Sequence, residues 1–138
     1  MELVDGPRVA ALLPYPALIE ALREAFRSGA TVPPRHHHTV EAGHASPGTL
    51  LLMPAWGPGG PLVVKIVSVF AGNGAVGLPA VMGSVLVLEE NTGRPLALLD
   101  GSELTARRTA AASALAADLL VPPGAVDLLV VGTGRVAR

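Results

Sequence analysis

Residues 49–101 read TLLLMPAWGPGGPLVVKIVSVFAGNGAVGLPAVMGSVLVLEENTGRPLALLDG, and their punctuation decides the fold. TLLLMPAW is a short apolar run and WGPGGP is a turn. PLVVKIVSVF is rich in β-branched residues, as strands are. AGNGAVGLPA is a glycine-rich loop. MGSVLVLEE and PLALLDG are two further apolar runs, joined by ENTGR, where Asn91-Thr92-Gly93 supplies turn chemistry. Strands joined by such short connections pair antiparallel. This stretch therefore predicts a mostly antiparallel sheet.

Working outward, the N-terminal flank is helical. Asp5-Gly6-Pro7 opens a short helical turn, with proline early, where its missing N–H costs nothing. In the next helix Leu18, Ile19, Leu22, Ala25 and Phe26 share one face, while Glu20, Arg23, Glu24 and Arg27 lie largely off it. Gly29 is its stop. Residues 30–48 are polar and turn-rich, and Pro33-Pro34 imposes extended geometry. On the other flank, residues 103–120 are alanine-rich and helix-favouring, with Ser102 or Thr105 as the expected cap. Pro122-Pro123-Gly124 ends that helix. VDLLVV follows as a continuous apolar strand of the kind buried on both faces of a parallel sheet. The fold class is α/β: an N-terminal α+β domain with a mostly antiparallel sheet, then the first strand and glycine turn of a second domain. No internal repeat is visible.

Composition sets the outer bounds. The 138 residues suffice for one ordinary domain, and half of them are apolar with only 15% charged, which suits a folded core. A net charge of −1 gives no electrostatic case for nucleic acid or an anionic membrane. The absence of cysteine excludes disulfides, thiol catalysis and thiolate metal sites. Glu2 and Asp5 stand where a signal peptide carries positive charge, and Pro14 and Pro16 interrupt the apolar stretch, so no targeting segment is expected. No apolar run reaches the length of a membrane span. A soluble cytoplasmic protein is the expectation.

Few side chains in this apolar chain can carry chemistry. Lys65 is the sole lysine, embedded in PLVVKIVSVF. A cation there is costly unless it faces a polar cavity or a partner. It is either an edge lysine facing solvent or a pocket lysine that binds an anion or moves a proton. Arg107 and Arg108 open the long helix, where positive charge opposes the dipole and invites a carboxylate or phosphate. They project about 100° apart, so one can face a pocket and the other solvent. Arg35 follows the stiff Pro33-Pro34 pair and is either a positioned carboxylate clamp or a solvated loop side chain. His36, His37, His38 and His44 suggest a metal, but consecutive histidines on an extended segment alternate faces and do not converge, so none is expected. Gly132-Thr133-Gly134-Arg135-Val136-Ala137 has the G-x-G-x-x-A form directly after an apolar strand, the context of a dinucleotide turn. In that context Gly132 makes the turn, Gly134 admits a pyrophosphate, and Ala137 lets a following helix pack close.

Together LLLMPAW, VVKIVSVF, TGRPLALLDG, LTARRTAAASALAA and LLVVGTGRVA resemble the ornithine cyclodeaminase/mu-crystallin family. The resemblance implies a substrate-binding and dimerisation domain over 1–122 and the start of a Rossmann domain for NAD or NADP over 123–138. It implies a homodimer, a small amino- or imino-acid carboxylate substrate, and hydride transfer at the substrate's α-carbon. By position it implies that Arg35 grips the carboxylate and that Lys65 is the substrate-contacting, catalytic lysine. Arg108 then lies near substrate and cofactor phosphates, and Gly132, Gly134, Arg135 and Val136 form the cofactor turn. Ala80 and Val81 fall where the family's loop nears the cofactor. Leu51 stands where ornithine-specific members place a glutamate, which argues against ornithine cyclodeamination. The family's catalytic aspartate lies downstream of the residues here. The chain is accordingly expected to be a truncated and inactive form of an oxidoreductase. The alternative is a non-enzymatic ligand-binding or dimerisation module of mu-crystallin type.

Overall fold

The computed structural model describes residues 1–41 and 47–137. Its elements are β1 (Glu2–Val4), α1 (Gly6–Leu12), α2 (Tyr15–Ser28), β2 (His36–Val40), β3 (Gly48–Ala55), β4 (Leu62–Val69), a 3-10 turn (Ala71–Val76), β5 (Val81–Leu88), β6 (Pro95–Asp100) and α3 (Gly101–Leu120). The strands form one six-stranded sheet in the order β1-β6-β5-β4-β3-β2. The four runs read from the sequence are its antiparallel centre, β3 to β6. Two edge strands were not foreseen. Polar β2 pairs antiparallel with β3, and three-residue β1 pairs parallel with β6. The result is an α/β fold on a mixed sheet.

Local chemistry sets the element ends. The Asp5 carboxylate accepts the Arg8 N–H at 2.9 Å and caps α1. Helix α2 stops at Gly29, whose φ of 76° is open to glycine without strain, and the Gly29 N–H bonds the Ala25 carbonyl. The cap of α3 is Asp100, not Ser102 or Thr105. Strand β6 runs straight into the helix, so Asp100 sits in extended geometry at the junction and accepts the Ser102 and Glu103 N–H groups, each at 2.8 Å. The Thr105 hydroxyl instead donates to the Gly101 carbonyl within the helix. At the β5–β6 turn the Glu89 carboxylate accepts from the backbone and side chains of Asn91 and Thr92.

The two sheet faces differ. Register puts Val4, Val67 and Val85 on one face, and all three are buried beneath the helices. Val9, Leu18, Ala111 and Leu115 complete that core. Burying each of the larger of these side chains contributes about 1.5–3 kcal/mol. The opposite face carries Leu3, Leu98, Leu86, Val64, Ile66, Leu52 and Leu50 in adjacent register. No helix among the described residues buries them: Leu3 is 73% exposed and the rest are half-buried among their strand neighbours. The apolar face of α2 is likewise covered only in part. Leu18 is buried, whereas Phe26 stands exposed beside Leu119 of α3. An Arg23–Asp118 ion pair at 2.7 Å ties the two helices.

Residues 126–131, read from the sequence as a strand, lie outside the sheet and expose their apolar side chains. An extended apolar segment forms a strand only where neighbours take its backbone bonds. No described strand lies beside it.

Candidate functional site

The Lys65 side chain is placed by alternation along β4. It shares the helix-covered face with Val67, next to Met53 on β3 and Val85 on β5, its register partners. This face opens into a cleft of about 210 Å³ where β4 and β5 meet the first turns of α3. Lys65, Val67, Gly83, Thr105, Arg135 and Val136 line it. A backbone contact makes the cleft possible. Gly101 at the start of α3 lies so close to β5 that a Cβ there would stand 2.6 Å from the Gly83 carbonyl carbon. Only a hydrogen side chain lets the helix N-terminus come this near the strand.

Lys65 is half-buried, and its pKa is lowered from the ordinary 10.5. Burial is the main cause, followed by repulsion from Arg108 and then from Arg35. The cations singled out in the sequence thus act on one neighbourhood, although Arg35 and Arg108 themselves are largely exposed. Lys65 and Arg135 are the cations that line the cleft, and Arg135 is paired with Glu103, whereas Arg108 and Arg35 act on Lys65 from outside that lining. The positive charge around Lys65, unpaired among the described residues, is complementary to an anion.

Arg107 does something else. Its Nε donates to the Leu13 carbonyl at 2.9 Å, and its guanidinium lies 4.5 Å over the Tyr15 ring. It also faces Glu103 at 3.6 Å. The adjacent arginines therefore divide as their angular offset requires. Arg107 fastens the α1–α2 corner to α3, and Arg108 stands near Lys65.

The glycine turn is docked on this cleft. Gly132 adopts φ 113°, which favours glycine, and the Ala137 N–H closes a turn on the Gly134 carbonyl at 3.0 Å. A Cβ at Gly134 would meet nothing within 4 Å, so the backbone is open to an approaching group. These features fit a diphosphate-binding turn. Arg135 and Val136 line the Lys65 cleft, and Arg135 donates to Glu103 at 2.9 Å. Sequence reading missed Glu103, which looks there like an ordinary acid in the first turn of a helix. Ala80 accepts the Phe70 N–H, and Val81, 56% exposed, borders the cleft.

The histidines form no such group. His36 and His38 share one face of β2 with ring centroids 6.3 Å apart, and His37 points to the other. His44 lies outside the described residues. No group of three metal-ligating side chains occurs among the described residues. No helix among them is long and apolar enough to cross a membrane.

Known proteins share this fold. A Delta(1)-pyrroline-2-carboxylate reductase from Paracoccus denitrificans is 41% identical over 114 residues, covering 83% of this chain and 36% of its own. The solved Delta(1)-pyrroline-2-carboxylate reductase of Thermococcus litoralis, in complex with NADH and L-proline, superposes with a TM-score of 0.75 at 34% identity. That match covers 88% of this chain and 38% of the other. An archaeal alanine dehydrogenase dimer with bound NAD superposes with a TM-score of 0.78 at 31% identity, over 90% of this chain and 38% of the other. The chain thus spans well under half the length of these relatives. The sequence model of the ornithine cyclodeaminase/mu-crystallin family matches residues 6–138, and the chain belongs to that family.

Proposed function

We propose that residues 1–122 form the substrate-binding and dimerisation domain of an NAD(P)-dependent reductase acting on a small imino-acid carboxylate, and that residues 123–138 begin its cofactor domain. The observation that carries this reading is the half-buried Lys65 in a cleft near Arg108 and Arg35, with the glycine turn at its rim. An α-carboxylate would offset the mutual repulsion of those cations, with Arg35 and Arg108 gripping it from the exposed side. Lys65 would hold or deliver a proton at the imine nitrogen, a role suited to an ammonium whose pKa is already lowered. A bound nicotinamide would supply the hydride. The floor beside Lys65 is apolar: Met53 lies opposite it in register and Leu51 lies opposite Val67. That favours a compact, uncharged substrate body over the distal amine of ornithine. The names of the pyrroline-2-carboxylate reductase relatives support the same choice.

Two further readings go with it. The bare apolar sheet face fits burial against a second copy, since an uncovered apolar sheet is otherwise an aggregation hazard. The dimeric alanine dehydrogenase supports that reading. Residues 1–138 alone are expected not to turn over, because relatives are much longer and a dinucleotide crevice needs several parallel strands.

Titration calorimetry of L-proline and pyrrole-2-carboxylate into the chain tests the site. Weak binding, lost in Lys65→Met and Arg108→Gln, is expected, and binding indifferent to both substitutions would refute it. A nicotinamide absorbance assay with cyclic imino acids is expected to be blank for residues 1–138. Turnover above background would overturn the inactivity reading. Sedimentation showing a stable monomer at micromolar concentration would overturn the dimer.

A further inference from the structure

Glu103 stands third in α3 after the Asp100 cap, where a glutamate ordinarily reaches back to the cap's own N–H. Here both carboxylate oxygens face guanidinium groups. Oε2 accepts from Arg135 Nη2 at 2.9 Å, and Oε1 faces Arg107 Nη1 at 3.6 Å. The Glu103 side chain retains only 24% of its exposure, whereas Arg135 retains 64%. Arg107 is itself anchored by the Leu13 carbonyl and the Tyr15 ring. A chain of contacts therefore runs from the α1–α2 corner through Arg107 and Glu103 to the glycine turn. Arg135 is its last link and also lines the Lys65 cleft.

We propose that Glu103 is a positioning residue. By holding Arg135 against the first turn of α3 it sets where the glycine turn sits over the Lys65 cleft, and so how well that turn receives a dinucleotide diphosphate. This rests on the proposed cofactor reading for its second half only. Arg135 uses one N–H on Glu103, which leaves guanidinium donors for a phosphate oxygen. Residues 126–131 have no ladder partners among the described residues, so the ion pair is a tether holding the turn in register with the substrate side.

Amide hydrogen exchange in the ligand-free chain reads the tether directly. Glu103→Gln is expected to speed exchange in residues 131–137, read at the Ala137 amide that is bonded to the Gly134 carbonyl, by roughly two- to fivefold, the scale of one partly exposed ion pair. Arg135→Gln is expected to do the same, and the double substitution no more than either alone. The remote Glu89→Gln should leave that segment unchanged. NADH titration followed by nicotinamide fluorescence should weaken by a similar factor in Glu103→Gln, again without addition in the double variant. Unchanged exchange in Glu103→Gln, an effect absent from Arg135→Gln, or additive effects would each overturn the proposal. Failure of the unsubstituted protein to bind NADH would count against the cofactor reading, and the exchange result alone would then decide the tether.

Discussion

Replacing Gly101 with alanine should damage both the fold and the cleft. The added Cβ would stand 2.6 Å from the Gly83 carbonyl carbon and 2.7 Å from both the Gly83 oxygen and the Ser84 nitrogen. Ordinary carbon contacts lie near 3.5–4.0 Å, so relief requires a movement of about 1 Å. The obstructing atoms are backbone of β5, which is bonded to strands on both sides. The helix must therefore lift. Lifting strains the two Asp100 cap bonds and loosens Ala111 and Leu115. Overpacking of this kind costs about 1–3 kcal/mol, and loosening the cap adds about 1 kcal/mol. The gain in helix propensity returns at most about 1 kcal/mol. A net loss of about 2 kcal/mol is expected, seen as a lower urea midpoint with unchanged slope and a Tm lower by roughly 5–10 °C. Because α3 carries Arg108 away from Lys65, carboxylate affinity should fall as well. A variant within about 0.5 kcal/mol of the parent, with unchanged affinity, would refute the claim that this backbone contact sets the cleft.

Three further outcomes follow from contacts described above. Lys65→Met should stabilise the ligand-free protein at neutral pH, since the folded state disfavours the ammonium. That advantage should shrink as pH rises toward the unfolded value of 10.5, where both states lose the proton, and denaturation midpoints across pH 7–11 check it. Glu89 is held down to about 2 by hydrogen bonds from Thr92 and Asn91, so its contribution is present above the ordinary carboxylate range and fades as pH falls toward 2. Thermal melts of the parent and Glu89→Gln should accordingly differ at pH 6 and converge near pH 2. Arg107→Ala removes the Leu13 bond, the Tyr15 stacking and the Glu103 pair, and should cost about 1–3 kcal/mol in urea unfolding.

The sequence made the central sheet and α2 legible because their signals are local. β-Branched runs and Asn91-Thr92-Gly93 mark β4 to β6, and apolar spacing marks α2. The edge strands had no such mark. β2 is HHHTV, polar and exposed, and is a strand because β3 offers it a register. β1 has three residues and depends on β6, nearly a whole domain away. The Asp100 cap was hidden because the aspartate reads equally as the end of a strand. Lys65, Arg35 and Arg108 were legible as costly cations in an apolar chain. Their grouping around one cleft was expected from the family resemblance. What the residues alone did not give was which face of β4 the helix covers, and Arg35 and Arg108 act on Lys65 without lining its cleft. Glu103 was invisible because only folding brings Arg135 beside it.

The parallel pairing of Glu2–Val4 with Ala97–Leu99 also constrains how the protein is made. The first strand leaves the ribosome long before its partner exists. At synthesis rates of roughly 5–20 residues per second, it waits about 5–20 s for β6. During that wait Val4 and Val9, both buried in the end, have nothing to pack against. The hairpins from β2 to β5 can form meanwhile, each from neighbours already emerged. Strand β1 is thus made well before β6 and takes its place only once β6 exists. Its shortness, with Glu2 on the strand, is a fitting safeguard for a segment left waiting beside other nascent chains.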